Sequence, residues 1–179
     1  MPTTSPFILW FTGLPSSGKT TLSLLCSEWF ESIGVKHIVL DGDNVRSFFP
    51  SGLVSYTRRD RTIHLYYIGY MCKVFQQKGY SVICSFVSPY KDVREQLKQE
   101  LDNFIEIFVN TPFIVCQQRD VKGLYKKARQ GIIKNFTGVD DVYEEPTNAN
   151  IVIDTSNESP KQSFLRIKQY LLSKQLVEE

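Results

Sequence analysis

The chain has 179 residues, of which 42% are hydrophobic and 22% charged, the proportions of one ordinary globular domain and not of a disordered, collagen-like or coiled-coil chain. Its 21 Lys and Arg against 19 Asp and Glu leave a formal charge of +2, too balanced for a protein that coats nucleic acid, so any basic site is local. No apolar run approaches the ~20 residues of a membrane span, and residues 1–6 lack the basic and apolar regions of a secretory leader.

In chain order, Phe7-Ile8-Leu9-Trp10-Phe11 is a continuous apolar run that meets Gly13, which predicts a buried strand of a parallel sheet. Leu22, Leu25, Cys26, Trp29 and Ile33 fall at three- and four-residue spacing and predict a helix over 20–33, stopped by Gly34. A second strand is expected at 37–40, ending at Asp41-Gly42-Asp43-Asn44, then a loop rich in Gly, Ser, Pro and aromatics over about 46–59. A helix over 60–77 stops at Gly79, a third strand covers 81–86, and Ser88-Pro89 ends it. Residues 89–101 read as a charged surface helix, 104–109 as a fourth strand, and Thr111-Pro112 as the start of a helix with proline at its first position.

Residues 123–148 differ from the rest. They carry Gly123, Gly131, Gly138 and Pro146 among Lys and Arg residues, with few apolar anchors, and predict a mobile lid with a short helix over 124–130. A last strand at 151–153 and a helix over 159–176 complete the chain. Alternating strands and helices imply an α/β fold, a parallel sheet flanked by helices, in a single domain over 1–179. Cys26, Cys72, Cys84 and Cys116 lack metal-site spacing and sit in apolar stretches. They read as buried reduced thiols of a cytoplasmic protein.

Gly13-Leu14-Pro15-Ser16-Ser17-Gly18-Lys19-Thr20 matches G-x-x-x-x-G-K-[ST] between a predicted strand and a predicted helix, the context of a phosphate-binding loop. Its backbone N–H groups and the positive helix end suit a polyphosphate. Lys19 is placed for the β- and γ-phosphates of ATP, and the Thr20 hydroxyl for Mg²⁺. Such a loop serves ATPases, GTPases and small-molecule kinases alike. Asp41 and Asp43 fall at the carboxyl end of strand two, the edge where open α/β sheets bind ligands. There they read either as groups for an attacking hydroxyl or water-bound Mg²⁺, or as an Asp-Gly turn in which Asp43 caps the next helix. Arg46 is spaced to meet an anionic acceptor.

From Gly13 to Pro146 the chain closely resembles the adenylylsulfate (APS) kinases. The matching segments are GLPSSGKTT (13–21), LDGDNVR (40–46), DR (60–61), SFVSPYKDVR (85–94), RDVKGLYKKAR (119–129) and IKNFTGVDDVYEEP (133–146). The resemblance implies a P-loop kinase that moves the γ-phosphoryl of MgATP to the 3′-hydroxyl of adenosine 5′-phosphosulfate (APS), giving PAPS, and a homodimer. It places Gly13, Leu14, Pro15, Ser16, Ser17, Gly18, Lys19, Thr20, Thr21 and Arg119 on ATP, with Thr20 on the metal. Asp43 is expected to orient the 3′-hydroxyl and take its proton, and Arg46 and Arg61 to grip the phosphosulfate. Tyr56, where the family usually has Phe, and Phe136 are expected to sandwich the adenine. Val87 and Ser88 line the acceptor site, and Lys122 and Asn135 close over it from the lid.

Some of these residues keep a second reading. Ser88 is either a strand-end cap and substrate contact or a phosphorylated intermediate. Arg119 contacts ATP or pairs with Asp120, and Lys126, Lys127 and Arg129 draw the lid closed or form a solvated face. The chain departs from the family after Asp60-Arg61, where His64 replaces its substrate-contacting Asn and Tyr66 and Tyr67 replace two arginines. His64 can still hydrogen-bond the sulfate, neutral or as the cation. The alternatives are a related kinase for another nucleotide-like acceptor with a modified 5′-phosphate, and a nucleotide-binding module without catalysis.

Overall fold

The apolar runs pair as five parallel strands. The structure, a computed structural model, describes residues 5–50 and 53–178. The readings of residues 1–4 and of the loop tip at Ser51 and Gly52 lie outside that range. The strands are β1 (Ile8–Thr12), β2 (His37–Asp41), β3 (Ser81–Ser85), β4 (Phe104–Val109) and β5 (Ile151–Ile153), in the order β2-β3-β1-β4-β5. The helices are α1 (Lys19–Ser32), α2 (Gly42–Ser47), α3 (Arg58–Gln77), α4 (Lys91–Glu100), α5 (Phe113–Arg119), α6 (Leu124–Arg129) and α7 (Pro160–Ser173).

The two-residue strand period splits the core. Phe7, Leu9 and Phe11 pack with Leu22 and Phe30 of α1 and Ile167 and Leu171 of α7. Ile8 and Trp10 point the other way, onto Leu65 and Ile68 of α3 and Val93 and Leu97 of α4. Burial on both faces explains why β1 reads as an unbroken apolar run instead of an alternating one. The loops after the five strands all open at one edge of the sheet.

Four local expectations change. Residues 42–47 are helical, because Asp41 caps them by accepting from the Asp43 amide at 3.0 Å. The capping carboxylate is therefore Asp41 and not Asp43. Helix α3 starts at Arg58 because Thr57 caps it, accepting from the Asp60 amide at 3.3 Å. Pro112 is the cap of α5 and not its first helical residue. The segment expected to have few apolar anchors has a small core of its own, in which Tyr125, Ala128 and Phe136 bury against Cys116, Leu14, Leu124 and Ile133. All four cysteines are buried and free.

Candidate active site

One cavity of about 540 Å³ opens at the carboxyl edge of the sheet, and it holds both the phosphate-loop residues and most of the expected acceptor residues. At its donor end the loop leaves β1 through Gly13, whose φ is +148°. A Cβ there would stand 2.6 Å from the Val109 carbonyl oxygen, so the close pass over β4 requires glycine. Pro15, Ser16, Gly18, Lys19, Thr20 and Thr21 line the cavity. Lys19 is buried and its ammonium donates to the Gly13 and Leu14 carbonyls at 3.0 and 2.8 Å. Burial pulls its pKa down to about 8, against the pull of nearby Asp41 and Asp43. Thr20 Oγ1 donates to Asp41 Oδ2 at 2.9 Å. Asp41 thus does two jobs, capping α2 with one oxygen and holding the loop hydroxyl with the other.

Arg119 does not pair with Asp120. It donates to Thr155 Oγ1 and to the Thr155 carbonyl, each at 2.8 Å, and reaches the Ser17 carbonyl at 3.5 Å. Asp120 instead accepts from the Tyr125 and Lys126 amides at the start of α6. Thr155 also donates to the Ser17 carbonyl at 2.7 Å. Thr155, Glu158 and Pro160 line the cavity and were missed by motif reading. The position of their loop, after the last parallel strand, was the signal available.

At the acceptor end, Asp43 and Arg46 share helix α2. The Asp43 carboxylate is more than half exposed and meets Lys122 in an ion pair. Arg46 points to the Val54 and Ser55 carbonyls at 3.4 and 3.5 Å. Arg61 donates to the Tyr56 and Asn135 carbonyls at 2.8 and 2.7 Å. Both guanidinium groups lie over the Tyr56 ring, at 4.6 and 5.0 Å from its centre. Among the described residues neither forms an ion pair with a carboxylate, and burial draws both pKa values down. Phe136 lines the same cavity but packs edge-on against Tyr125 at 5.1 Å. Tyr56 and Phe136 therefore face one space while each already has another partner. Asn135 serves this end through its backbone, holding Arg61.

His64 is 5% exposed, stands between the Phe49 and Phe86 rings, and lines the cavity with an Nε2 atom that has no hydrogen-bond partner. Burial and the Arg46 charge push its pKa down to about 4, which leaves the ring neutral at pH 7. Val87 and Ser88 also line the cavity, two and three residues past the end of β3. Ser88 Oγ accepts from the Trp10 indole at 3.0 Å and, among the described residues, has no base against it. Lys126, Lys127 and Arg129 are exposed on α6.

Comparison with known proteins places this arrangement. The family model described as adenylylsulphate kinase matches residues 5–154. An adenylyl-sulfate kinase of Synechococcus sp. (strain JA-3-3Ab) is 42% identical over 92% of this chain and 93% of its own. One of Pseudomonas entomophila (strain L48) is 39% identical over 97% of this chain and 84% of its own. Among solved structures, the Mycobacterium tuberculosis APS kinase CysC in complex with AMPPNP and APS superposes with a TM-score of 0.85 at 31% identity, over 94% of this chain and 98% of that one. Shikimate kinase of Aquifex aeolicus, at TM-score 0.55 and 16% identity, shares the fold alone.

Proposed function

The chain belongs to the adenylylsulphate kinase family, and from that premise we propose that it transfers the γ-phosphoryl group of MgATP to the 3′-hydroxyl of APS. The observation that carries the acceptor half is the pair of guanidinium groups of half-buried Arg46 and buried Arg61, with no carboxylate partner among the described residues, in the same cavity as the phosphate loop. Desolvated cations of this kind suit an anion that accepts forked hydrogen bonds, as a phosphosulfate does.

Each residue then has a task. Lys19 leaves its loop carbonyls to meet the transferring phosphoryl group, where a bound polyanion restores its charge above the lowered pKa. The oxygens of Thr20 and Asp41 form a hard donor pair that fits Mg²⁺, which keeps most of its shell from water and phosphates. Among the described residues no three His, Cys, Asp or Glu side chains cluster as a metal site. When bound, Mg²⁺ supplies charge neutralisation on the phosphates. Asp43 exchanges Lys122 for the acceptor hydroxyl, orienting it and taking its proton. Because phosphoryl transfer is loose, positioning and charge count for more here than base strength. Tyr56 stacks the adenine, Phe136 offers the opposing ring, and neutral His64 hydrogen-bonds the acceptor from the wall.

The lid, the arm of chain at about 123–148, closes as ligand phosphates supply counter-charge. Hydrogen exchange that is equal in this arm with and without nucleotides contradicts that closure. The chain works as a homodimer in the cytoplasm, a reading supported by the family resemblance. Light scattering that returns the monomer mass sinks the dimer. Among the described residues no helix is long and apolar enough to cross a membrane.

The deciding experiment is a coupled ADP-release assay that compares kcat/KM for APS with adenosine and cytidine 5′-diphosphate analogues. A preference for APS supports the assignment, and a preference for any acceptor without sulfate overturns it. The substitutions at His64, Tyr66 and Tyr67 are the reason for including the other acceptors.

A further inference from the structure

Arg94 lies on α4, is 2% exposed, and carries no part of the chemistry described above. Its partners come from three separate segments. Nε donates to Glu106 Oε1 of β4 at 3.0 Å, in a buried ion pair. Nη1 donates to the Ser88 carbonyl at 2.5 Å, and Nη2 donates to the Glu144 carbonyl. The guanidinium also lies 5.6 Å from the centre of the Tyr143 ring. The first partner anchors it to the sheet, the second is the cavity wall, and the third belongs to the returning limb of the lid.

These two segments are stitched together around it. The Glu144 amide donates to the Pro89 carbonyl at 2.8 Å, and Glu144 Oε2 accepts from the Lys91 amide at 2.7 Å. Tyr90 donates to Asp141 at 2.9 Å, and Tyr143 exchanges a 2.8 Å bond with Thr12 at the end of β1. Ser88 itself has φ +45°, in the left-handed region that a serine seldom occupies. Such a conformation persists only where the surroundings over-determine it. Here the Trp10 indole holds its hydroxyl and Arg94 holds its carbonyl.

We propose that Arg94 is a positioning residue for acceptor binding, its guanidinium setting the spacing between the cavity wall at Ser88 and the lid return at Glu144. The proposal rests on the acceptor reading given above. The planar fork suits this task because one rigid group meets two carbonyls and a carboxylate at fixed angles, which an ammonium cannot do. Glu106 neutralises and orients the fork, so that Arg94 reaches the two carbonyls without leaving a buried charge unpaired.

The test separates positioning from stability. Replacing both partners of a buried ion pair is often neutral for the fold, whereas removing one is not. The double variant Arg94→Met/Glu106→Gln therefore serves as the main probe, and Arg94→Lys, which keeps the charge opposite Glu106 but loses the fork, as the second. The wild-type chain is first shown to phosphorylate APS. If it does not, the functional reading fails, and the variants are measured with whichever acceptor the panel identifies. We expect KM for the acceptor to rise roughly tenfold in both variants, with KM for MgATP changed by less than about twofold. An acceptor KM within about twofold of wild type in a folded variant overturns the proposal. So does an equal rise for both substrates, and so does loss of the fold in both variants, which would make Arg94 a stability residue.

Discussion

The donor and acceptor ends of the cavity are built on different plans. The donor end is one contiguous stretch, Gly13 to Thr21, locked by local bonds and one clamp through Arg119 and Thr155. The acceptor end draws on α2, the loop before α3, α3 itself, the segment after β3 and the lid. Its charged groups occupy themselves in the meantime, Lys122 with Asp43 and the two arginines with backbone carbonyls and the Tyr56 ring. A site made of one segment can be pre-formed at little cost. A site made of five segments must exchange internal partners for those of its ligand, and it is also where this chain departs from its family.

Substitutions at the two ends should therefore read out differently. The largest effect is expected for Lys19→Ala, about 10²–10³-fold in kcat, because it deletes the cation that neutralises the transferring group. Near-wild-type turnover at saturating MgATP would remove the loop from the chemistry. Asp43→Asn should lower kcat by about 10²-fold while KM for MgATP stays put. Since Asp41 and not Asp43 caps α2, its thermal midpoint should barely move, and unfolding of this variant would contradict the separation of roles drawn here.

Smaller effects sharpen the contrast between the two acceptor rings. Tyr56→Ala should weaken acceptor binding by about 1–3 kcal/mol with little loss of stability. Phe136→Ala should weaken acceptor binding too, but it also opens the small core around Tyr125, so its melting temperature should drop as well. Equal stability of the two variants would show that the lid cluster does not hold the lid.

The smallest expected effect is on pH. Lys19 is charged below about 8 and loses its proton above it, so kcat/KM for MgATP should fall as pH rises past that point. The limb should move to higher pH in kcat, where bound phosphate favours the cation. His64 gains charge only near pH 4, so acceptor KM should stay flat from about pH 5 to 7. A histidine limb in that window would show that the ring is charged at work.

The phosphate loop was legible because a strand, eight residues of fixed pattern and a helix are all local in sequence. The five strands were legible for the same kind of reason, since burial on both faces writes itself as apolar runs. Asp41 was only half legible. Its place at the strand end could be read, but the choice between Asp41 and Asp43 as the cap turns on which carboxylate faces the first free amides of α2. The small core of the lid was not legible, because Tyr125 and Phe136 look like isolated aromatics until α6 folds over Leu14 and Cys116.

The sequence by itself determined the fold class, the donor site and, through six ordered segments, the family. The tertiary structure decided which groups are free to work. It made His64 neutral by burying it beside Arg46, gave Thr155 a place on the phosphate loop 138 residues away in the chain, and put Arg94 between Ser88 and Glu144. Such contacts leave no periodic trace, because desolvation and side-chain hydrogen bonding depend on neighbours that only the packed sheet and lid bring together.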